Sequence, residues 1–397
     1  MKILILDEEF PYPLNSGKRL RTSNLTYELA KSNDVSYIAF GEDESDSVKH
    51  FKSKNIHTIP VSPLNNKKSG FSFYLKLLAN IFSPDPYIVT SHYSKEFEQK
   101  LNDEISKNRY DVLICEWTPY AQYVKNIIDV KSIIVAHNIE SDIWKRYYEN
   151  ETNPLKKFYV GLQYKKVLEF EKQCFKWVNG ATAVSSIDAS FIEKLNLPYE
   201  PAVIENGVDT DFFQPSNSPL VKNRLVFTGS MDWRPNQDAA EFFAHDILPL
   251  LKKSVPDIEA YFVGRNPPPH IEQLNNIDGI VITGMVDDVR TYIAEASLYI
   301  VPLRIGGGSR LKILEAMSMQ KPIVSTSIGA EGLEVTDKEN ILIANKPQEF
   351  CDTILQALEN KELCQRIAQR GYELVHNTYK WSSISKKLNQ YLSEISK

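Results

Sequence analysis

The stretch Val301–Glu315, VPLRIGGGSRLKILE, decides the fold that we predict for this chain. The apolar run Leu298–Leu303 indicates a buried strand, and a helical pattern of apolar residues begins after the glycines. Glycines between a strand and a helix let the backbone pass close to a ligand. The free N–H groups at a helix start favour an anion, and Arg310 and Lys312 add positive charge there. The stretch therefore predicts a phosphate or pyrophosphate site.

The glycine loop does not match the better-known phosphate motifs. Neither GxxxxGK[ST] nor GxGxxG occurs in this stretch. The alternative is that the glycines have no role in binding and merely allow a tight turn. The adjacent basic residues favour the anion site over the plain turn. Glu315, about one turn further along the helix, is predicted to accept hydrogen bonds from a sugar hydroxyl.

Length and composition limit the possible classes of protein. The chain has 397 residues, of which 42% are hydrophobic, and this suits two domains of ordinary size. Its formal net charge of -5 argues against a nucleic-acid partner held by phosphate neutralisation. The four cysteines have no metal-ligand spacing and are expected to be reduced thiols. The N-terminus enters a strand directly and no apolar run is long enough to span a bilayer, so we predict a cytoplasmic protein.

Strands and helices alternate twice along the chain, which indicates a doubled α/β architecture with parallel sheets. The first series of strands begins with Lys2–Leu6, and the second begins after a proline-flanked polar segment that follows Asn206-Gly207. We predict one domain at 1–205 and another at 206–379. A last helix at about 380–397 could pack back on the first domain.

His137 directly follows the apolar run Ser132–Ala136, which is predicted to be a buried strand. Parallel α/β folds keep their chemistry at the carboxyl ends of strands, so a titratable ring at this position favours a functional role. A structural histidine that caps the strand is the alternative.

The region 67–82 has two interpretations. Its sequence KKSGFSFYLKLLANIF begins with paired lysines and continues with aromatic and aliphatic residues at helical spacing. Such a stripe usually packs into a core. The alternative is an amphipathic surface for a lipid-linked acceptor or for peripheral contact with the inner face of a membrane.

An ordered set of motifs resembles the family 4 type of GT-B glycosyltransferases along nearly the whole chain. The motifs are PYPLNSGKRLRTSNL, VAHNIE, ENGVDTDFF, FTGSMDWRPNQDA, VGRNPPP, TGMVDDVRTYI and VPLRIGGGSRLKILEAM. The resemblance implies two Rossmann-like domains that face each other across a cleft. It implies a nucleotide-sugar donor in the second domain and a saccharide or lipid-linked acceptor in the first, as in polysaccharide biosynthesis. It also implies retention of anomeric configuration without a metal or other cofactor, because the nucleotide sugar is a co-substrate.

The resemblance also assigns roles to individual residues. The catalytic residues that it implies are His137, Arg310 and Lys312. The donor-binding residues that it implies are Gly17, Arg234, Arg265, Met285, Val286, Gly306, Gly307, Gly308, Ser309 and Glu315. Among these, Met285 and Val286 match the place of the base, Gly17 faces the pyrophosphate, and Glu315 matches the glutamate that binds the ribose.

The chain departs from the family pattern at two positions. The family usually has two glutamates eight positions apart, and the residue eight before Glu315 is Gly307. Ser230 stands where many members carry arginine. A nucleotide-sugar-binding relative that has lost turnover is therefore a second hypothesis. An epimerase of GT-B shape is a third, against which the ENGVDTDFF and GGGSRLK motifs argue.

Overall fold

The apolar runs of the chain form two parallel sheets, each in its own unit. A computed structural model describes residues 1–64, 70–305 and 310–397. Unit 1 comprises Met1–Glu205 with Ile384–Lys397, and unit 2 comprises Asn206–Ser383. Each unit is described by itself below.

Unit 1 is built around a sheet in the order β3-β2-β1-β4-β5-β6-β7. Its strands are β1 (Lys2–Glu9), β2 (Asp34–Phe40), β3 (His57–Val61), β4 (Val112–Cys115), β5 (Lys131–Ala136), β6 (Gly180–Ala183) and β7 (Ala202–Val203). Its helices are α1 (Gly17–Ala30), α2 (Asp46–Lys52), α3 (Phe71–Ile81), α4 (Tyr87–Thr90), α5 (Lys95–Lys107), α6 (Glu140–Asn150), α7 (Pro154–Cys174) and α8 (Ser186–Glu193), with a 3-10 segment at Thr118–Tyr123.

Continuous apolar sequence explains the buried central strands of unit 1. Residues 3–7 of β1 are all buried, as expected for a parallel strand covered on both faces. Ile3 pairs with Val112 and Ile5 with Ile114, so β1 lies directly beside β4. The hydroxyl of Ser16 accepts a hydrogen bond from the N–H of Arg19 and caps the start of α1.

Unit 2 repeats the design with the sheet order β10-β9-β8-β11-β12-β13. Its strands are β8 (Arg224–Thr228), β9 (Glu259–Val263), β10 (Ile280–Gly284), β11 (Leu298–Val301), β12 (Ile323–Ser325) and β13 (Leu342–Ile343). Its helices are α9 (Arg234–Phe242), α10 (Leu248–Leu251), α11 (Pro269–Glu272), α12 (Val289–Glu295), α13 (Leu311–Ser318), α14 (Pro347–Glu359) and α15 (Lys361–Leu374), with π segments at Phe243–Ile247 and Val375–Tyr379 and a 3-10 segment at Gln273–Asn276.

The last helix, α16 (Trp381–Ile395), begins in unit 2 and continues into unit 1. Within unit 1, the hydroxyl of Tyr391 accepts a hydrogen bond from the N–H of Ala181 at 3.0 Å, and Asn33 donates to Asn389 at 2.9 Å. These polar contacts hold the C-terminal turns of the chain against the first unit.

The chain order reverses direction at one place in each sheet. The reversal lies between β1 and β4 in unit 1 and between β8 and β11 in unit 2. Ligands of parallel α/β sheets bind outside the carboxyl ends of the strands at such a switch point. The loops that follow these four strands are therefore the first place to look for a site.

The structure confirms the predicted α/β class and corrects some details. The strand predicted for Leu298–Leu303 ends at Val301, and β3 was not predicted. The core-helix interpretation of the region 67–82 is wrong, because α3 leaves large apolar side chains such as Phe71 exposed. Residues 67–69 of that region lie outside the described residues.

Candidate functional site

The predicted anion site lies at the switch point of unit 2. Gly306, Gly307, Gly308 and Ser309 lie outside the described residues, and Arg310 is the N-cap residue of α13. Arg310 is only 5% exposed, and its Nη2 atom lies 3.3 Å from an oxygen of Glu331. Burial lowers the pKa of Arg310 from its ordinary value, and Glu331 opposes this shift. The guanidinium is thus held close to the start of the helix in a poorly solvated position.

Lys312 is the second residue of the same helix and packs against Phe227 of β8. Its Nζ atom donates to the side-chain oxygen of Asn236 at 2.8 Å and lies 3.8 Å from the ring centre of Phe227. Burial lowers the pKa of Lys312 to about 7. A lysine amine at this position loses water without gaining a carboxylate hydrogen bond in the described structure, so an anionic ligand would stabilise its charged form.

Glu315 follows Lys312 on α13. Burial raises the pKa of the Glu315 carboxyl to about 7, and the charge of Lys312 opposes this shift. The neighbouring amine and carboxyl groups both titrate near neutral pH, which is typical of groups at functional sites.

Gly229 leaves the space that Lys312 occupies. A Cβ atom at Gly229 would lie 2.8 Å from Lys312 Nζ and 2.7 Å from the side-chain nitrogen of Asn236. Both distances are shorter than real Cβ contacts allow. The glycine that ends β8 is therefore needed for the position of the lysine, and the sequence prediction missed it.

The loops after β8 and β9 bring further predicted residues together. The Nε atom of Arg265 donates to the hydroxyl of Ser230 at 3.1 Å, so a guanidinium lies beside the position at which the family usually has arginine. Arg234 begins α9 and is exposed. Met285 is 79% exposed and Val286 is half-buried, and both follow the edge strand β10. The donor-binding roles of these residues remain predictions.

His137 lies where the sequence predicted, directly after β5 in unit 1. Its Nε2 atom is 3.1 Å from an oxygen of Glu116, and both side chains are nearly buried. Thr22 donates its hydroxyl to the same carboxylate oxygen at 3.0 Å. Burial would raise the pKa of Glu116, but the interactions with His137, Arg21 and Thr22 together outweigh burial and hold this pKa below its ordinary value.

A second polar group, which the sequence prediction missed, lies at the end of β1. Lys18 donates to Asp7 at 2.8 Å and to Glu8 at 2.6 Å, and the hydroxyl of Tyr37 donates to Asp7 at 2.6 Å. Burial raises the pKa of Asp7 to about 6, against the charge of Lys18. Burial lowers the pKa of Lys18, but the two carboxylates outweigh it and hold this pKa above its ordinary value.

Trp117 connects this group with the loop after β5. The indole N–H of Trp117 donates to Glu140 at 2.8 Å, and the ring of His92 meets the indole edge to face at 5.0 Å. The Nζ atom of Lys18 lies 5.4 Å from the Trp117 ring centre. The hydroxyl of Tyr120, a fully buried residue, has no hydrogen-bond partner in the described part of the chain. An aromatic ring bordered by carboxylates is suited to a hydroxyl-rich ligand.

One sequence signal could have located the β1 group. The run DEE at 7–9 places three carboxylates at the carboxyl end of the first strand, where a buried acidic residue needs a cationic partner. Gly17, predicted to face the donor pyrophosphate, is the exposed first residue of α1, and a Cβ atom there would meet nothing within 4 Å.

Within the described ranges, no three His, Cys, Asp or Glu side chains are grouped to hold a metal ion. Asp288 caps the start of α12 by accepting a hydrogen bond from the N–H of Arg290. All four cysteines are free thiols. Among the described helices, none is both long and apolar enough to cross a bilayer.

Comparisons with known sequences find similarity to glycosyl transferases in the second unit. Residues 222–360 match the family model described as Glycosyl transferases group 1. A Klebsiella pneumoniae protein, described as an uncharacterized 44.6 kDa protein in the cps region, is 26% identical over 405 residues, with 95% of this chain and 96% of that protein covered. A glycosyltransferase of Methanocaldococcus jannaschii is 28% identical over 126 residues, with 31% of this chain and 35% of that protein covered.

Solved structures share the fold along the whole chain. A Rickettsia africae glycosyltransferase has a TM-score of 0.66 at 16% identity, with 100% of this chain and 98% of that chain covered. Sucrose-phosphate synthase of Thermosynechococcus elongatus has a TM-score of 0.69 at 14% identity, with 100% of this chain and 99% of that chain covered. Anabaena HepE, solved with UDP and glucose, has a TM-score of 0.65 at 14% identity, with 99% of each chain covered. These findings confirm the resemblance to GT-B glycosyltransferases, while the family 4 type stays a prediction.

Proposed function

From the group 1 glycosyl transferase match in unit 2, we propose that the protein transfers a sugar from a nucleotide-sugar donor to a hydroxyl of a saccharide or lipid-linked saccharide. The observation that carries the proposal is the placement of Arg310 and Lys312 at the start of α13 beside the β8–β11 switch point. Positive side chains at a helix N-terminus are locally unfavourable. Two of them, both poorly solvated, fit an anionic donor diphosphate that compensates their charge.

In the proposed reaction, unit 2 stabilises the leaving group. The bond between the anomeric carbon and the diphosphate oxygen breaks, and negative charge develops on the nucleoside diphosphate. Lys312, Arg310 and the N–H groups at the start of α13 stabilise this charge. The acceptor oxygen forms the new bond on the same face of the sugar, and its proton passes to the departing phosphate oxygen. Retention and independence of metal are parts of this proposal.

The acceptor side of the proposal rests on unit 1. Trp117 offers an aromatic surface, and Glu8 and Glu140 offer carboxylate oxygens to sugar hydroxyls. His137, held by Glu116, is proposed to contact the reacting sugar. The relative in the cps region supports polysaccharide assembly as the process that this transfer serves.

A binding-only relative is the second candidate function. The observation that favours it is Gly307, which stands in place of the glutamate that usually lies near the donor sugar. Such a protein would keep the diphosphate site of unit 2 without turnover.

A two-stage experiment separates these candidates. A panel of nucleotide sugars is first screened by thermal shift, because a ligand of the native state raises apparent stability by mass action. Release of nucleoside diphosphate is then followed with and without a panel of saccharide acceptors. The transferase requires release that depends on the acceptor. A thermal shift without any release would favour the binding-only candidate, and the absence of any shift would refute both.

A further inference from the structure

The helix α3 exposes a row of large apolar side chains on its outward side. Five large apolar side chains are exposed on α3 and its C-cap residue: Phe71, Tyr74, Leu75, Leu78 and Phe82. Phe71 is 81% exposed and Phe82 is 90% exposed. Their spacing of three and four residues places them on one side of the helix. None of them belongs to the hydrophobic core of the unit.

Polar contacts attach the opposite side of α3 to α7. The Nζ atom of Lys166 donates to the carbonyl oxygens of Asn80 at 2.6 Å and Ser83 at 2.6 Å, at the C-terminal end of α3. Gln163 donates to the side chain of Asn80 at 2.8 Å, and Asn80 is buried. The inward side also carries apolar residues: Phe73 and Leu77 are half-buried, and the ring of Phe73 lies 6.1 Å from the ring of Tyr87. The helix is therefore anchored to unit 1 on one side, and its outward side leaves large apolar side chains in water.

The start of α7, the helix that Gln163 and Lys166 link to α3, also exposes large apolar side chains. Leu155 is 82% exposed and Phe158 is 70% exposed. Residues 154–168 contain four lysines and no acidic residue, and residues 70–82 contain Lys76 and no acidic residue. We name the five apolar side chains at α3, with Leu155 and Phe158, the docking surface. It combines aromatic and aliphatic side chains with lysines and lacks acidic neighbours within these two segments.

We propose that the docking surface binds the surface of an anionic lipid bilayer, with its apolar side chains inserted at the boundary between headgroups and acyl chains. The acyl region of a bilayer can bury the apolar side chains, and anionic headgroups attract the lysines. A second copy of the chain fits less well, because a symmetric interface would bring the lysines of α7 close to their own copies. The 11 residues of α3 are too few to span a bilayer, so the helix lies in the plane of the interface.

Bilayer contact would bring the acceptor-binding unit of the proposed function to the place where a lipid-linked acceptor is embedded. The lipid proposal does not require turnover, so the two proposals can fail separately. Nucleotide-sugar binding, measured by thermal shift, reports on unit 2 in every variant.

The test is co-sedimentation of the full-length protein with vesicles. We expect binding to equimolar phosphatidylglycerol and phosphatidylcholine, and much weaker binding to phosphatidylcholine alone. The double variant Phe71→Ser/Phe82→Ser should reduce partitioning by at least about tenfold, because it removes two large inserted side chains. Ile128→Ser is the matched control, since Ile128 is 89% exposed in unit 1 and belongs to neither α3 nor α7.

Charge is tested by a second matched pair. Lys156→Glu at the start of α7 should weaken binding to the anionic vesicles, and Lys176→Glu just beyond the end of α7 should leave it unchanged. Wild-type protein that does not sediment with anionic vesicles would overturn the proposal. Equal binding by the wild type and the double variant would overturn it too. A concentration-dependent dimer that the double variant abolishes, without vesicle binding, would assign the surface to self-association instead.

Discussion

The switch points of the two units have the same topology and opposite electrostatic character. In unit 1 the carboxyl end of β1 carries carboxylates that are already paired, as Asp7 and Glu8 are with Lys18. In unit 2 the helix that follows β11 begins with cations: Arg310 is its N-cap residue, and Lys312 is bonded to the neutral amide of Asn236. The same βαβ topology therefore carries an acidic cluster in unit 1 and a basic cluster in unit 2.

This difference indicates which ligand each unit prefers. Carboxylates that are already paired with a lysine gain little binding free energy from an anion. They can accept hydrogen bonds from the neutral hydroxyl groups of a ligand. A poorly solvated amine beside a helix N-terminus gains most from a diphosphate. The predictions below test this contrast, beginning with the largest expected effect.

In the variant Lys312→Met, unit 2 should bind an anion much more weakly than in the wild type. We expect the affinity for the nucleoside diphosphate selected by thermal shift to fall by roughly 10- to 100-fold, as for the loss of a charge-assisted hydrogen bond. Arg310→Ala should weaken binding in the same direction. Isothermal titration measures both. Unchanged affinity in both variants would move the anion site elsewhere.

Lys321→Met is the matched control for the lysine substitution. Lys321 is also poorly exposed in unit 2, but its Nζ atom donates to the carbonyl oxygens of Ala294 and Ala296 just before β11 begins. Its removal should lower the free energy of unfolding and leave the affinity of the folded protein for diphosphate unchanged.

His137 tests the contrast from the side of unit 1. If its ring contacts the reacting sugar, His137→Ala should lower turnover by about 5- to 30-fold, which corresponds to one hydrogen bond made mainly in the transition state. Donor affinity should change little. Turnover, donor affinity and the thermal midpoint are measured on the same preparation.

Thr22→Val is the control for His137, because Thr22 donates to the same oxygen of Glu116. It should lower the thermal midpoint without a comparable loss of turnover. If His137→Ala is only destabilised and its folded fraction turns over at the wild-type rate, His137 is a structural histidine and leaves the site.

The sequence was sufficient for the fold class and for the strand and helix on either side of the predicted anion site, for a physical reason. Buried parallel strands are continuous apolar runs, and glycines followed by Arg310 and Lys312 mark a helix start that favours anions. The placement of His137 after β5 was likewise predictable from the run that precedes it.

Other features depend on contacts between distant parts of the chain. Lys18 and Asp7 form a pair because α1 folds over the end of β1, and Trp117 meets Glu140 because β4 and β5 are neighbours. The outward face of α3 was ambiguous because helical spacing shows that a helix has an apolar side and does not show which way that side points.

The affinity of unit 2 for diphosphate should depend on pH through Lys312. Its pKa in the free protein is lowered to about 7 by burial, and the bound anion requires the protonated amine. Affinity should therefore be constant well below pH 7 and fall above it, by at most about tenfold per pH unit. Titrations from about pH 6 to about pH 9 test this.

Two variants sharpen the pH prediction. Lys312→Arg keeps its charge throughout this range and should remove the fall. Glu315, whose pKa is raised to about 7 by burial, becomes charged in the same range and favours the charged lysine. In the variant Glu315→Gln, the affinity for diphosphate should therefore begin to fall at a lower pH. A flat profile for the wild type would show that Lys312 does not take up a proton on binding.

Gly229→Ala should produce a smaller effect of the same kind. The new Cβ atom would lie 2.8 Å from Lys312 Nζ, and the flexible end of the lysine can move to relieve this contact. We expect a roughly fivefold loss of diphosphate affinity, since the charge is displaced and not removed. An unchanged affinity in Gly229→Ala would mean that the lysine binds from another position.

The smallest expected effect is that of a chelator. In unit 2 the site residues Arg310 and Lys312 carry the positive charge that a divalent cation supplies to a diphosphate in other enzymes. Asp288, two residues after Val286 at the predicted base position, accepts hydrogen bonds from the N–H and the side chain of Arg290. Turnover should therefore be the same before and after treatment with EDTA, and Lys312→Met should not be rescued by Mg²⁺. Loss of wild-type turnover in EDTA, with recovery on addition of Mg²⁺ or Mn²⁺, would contradict the assignment of leaving-group stabilisation to these two side chains.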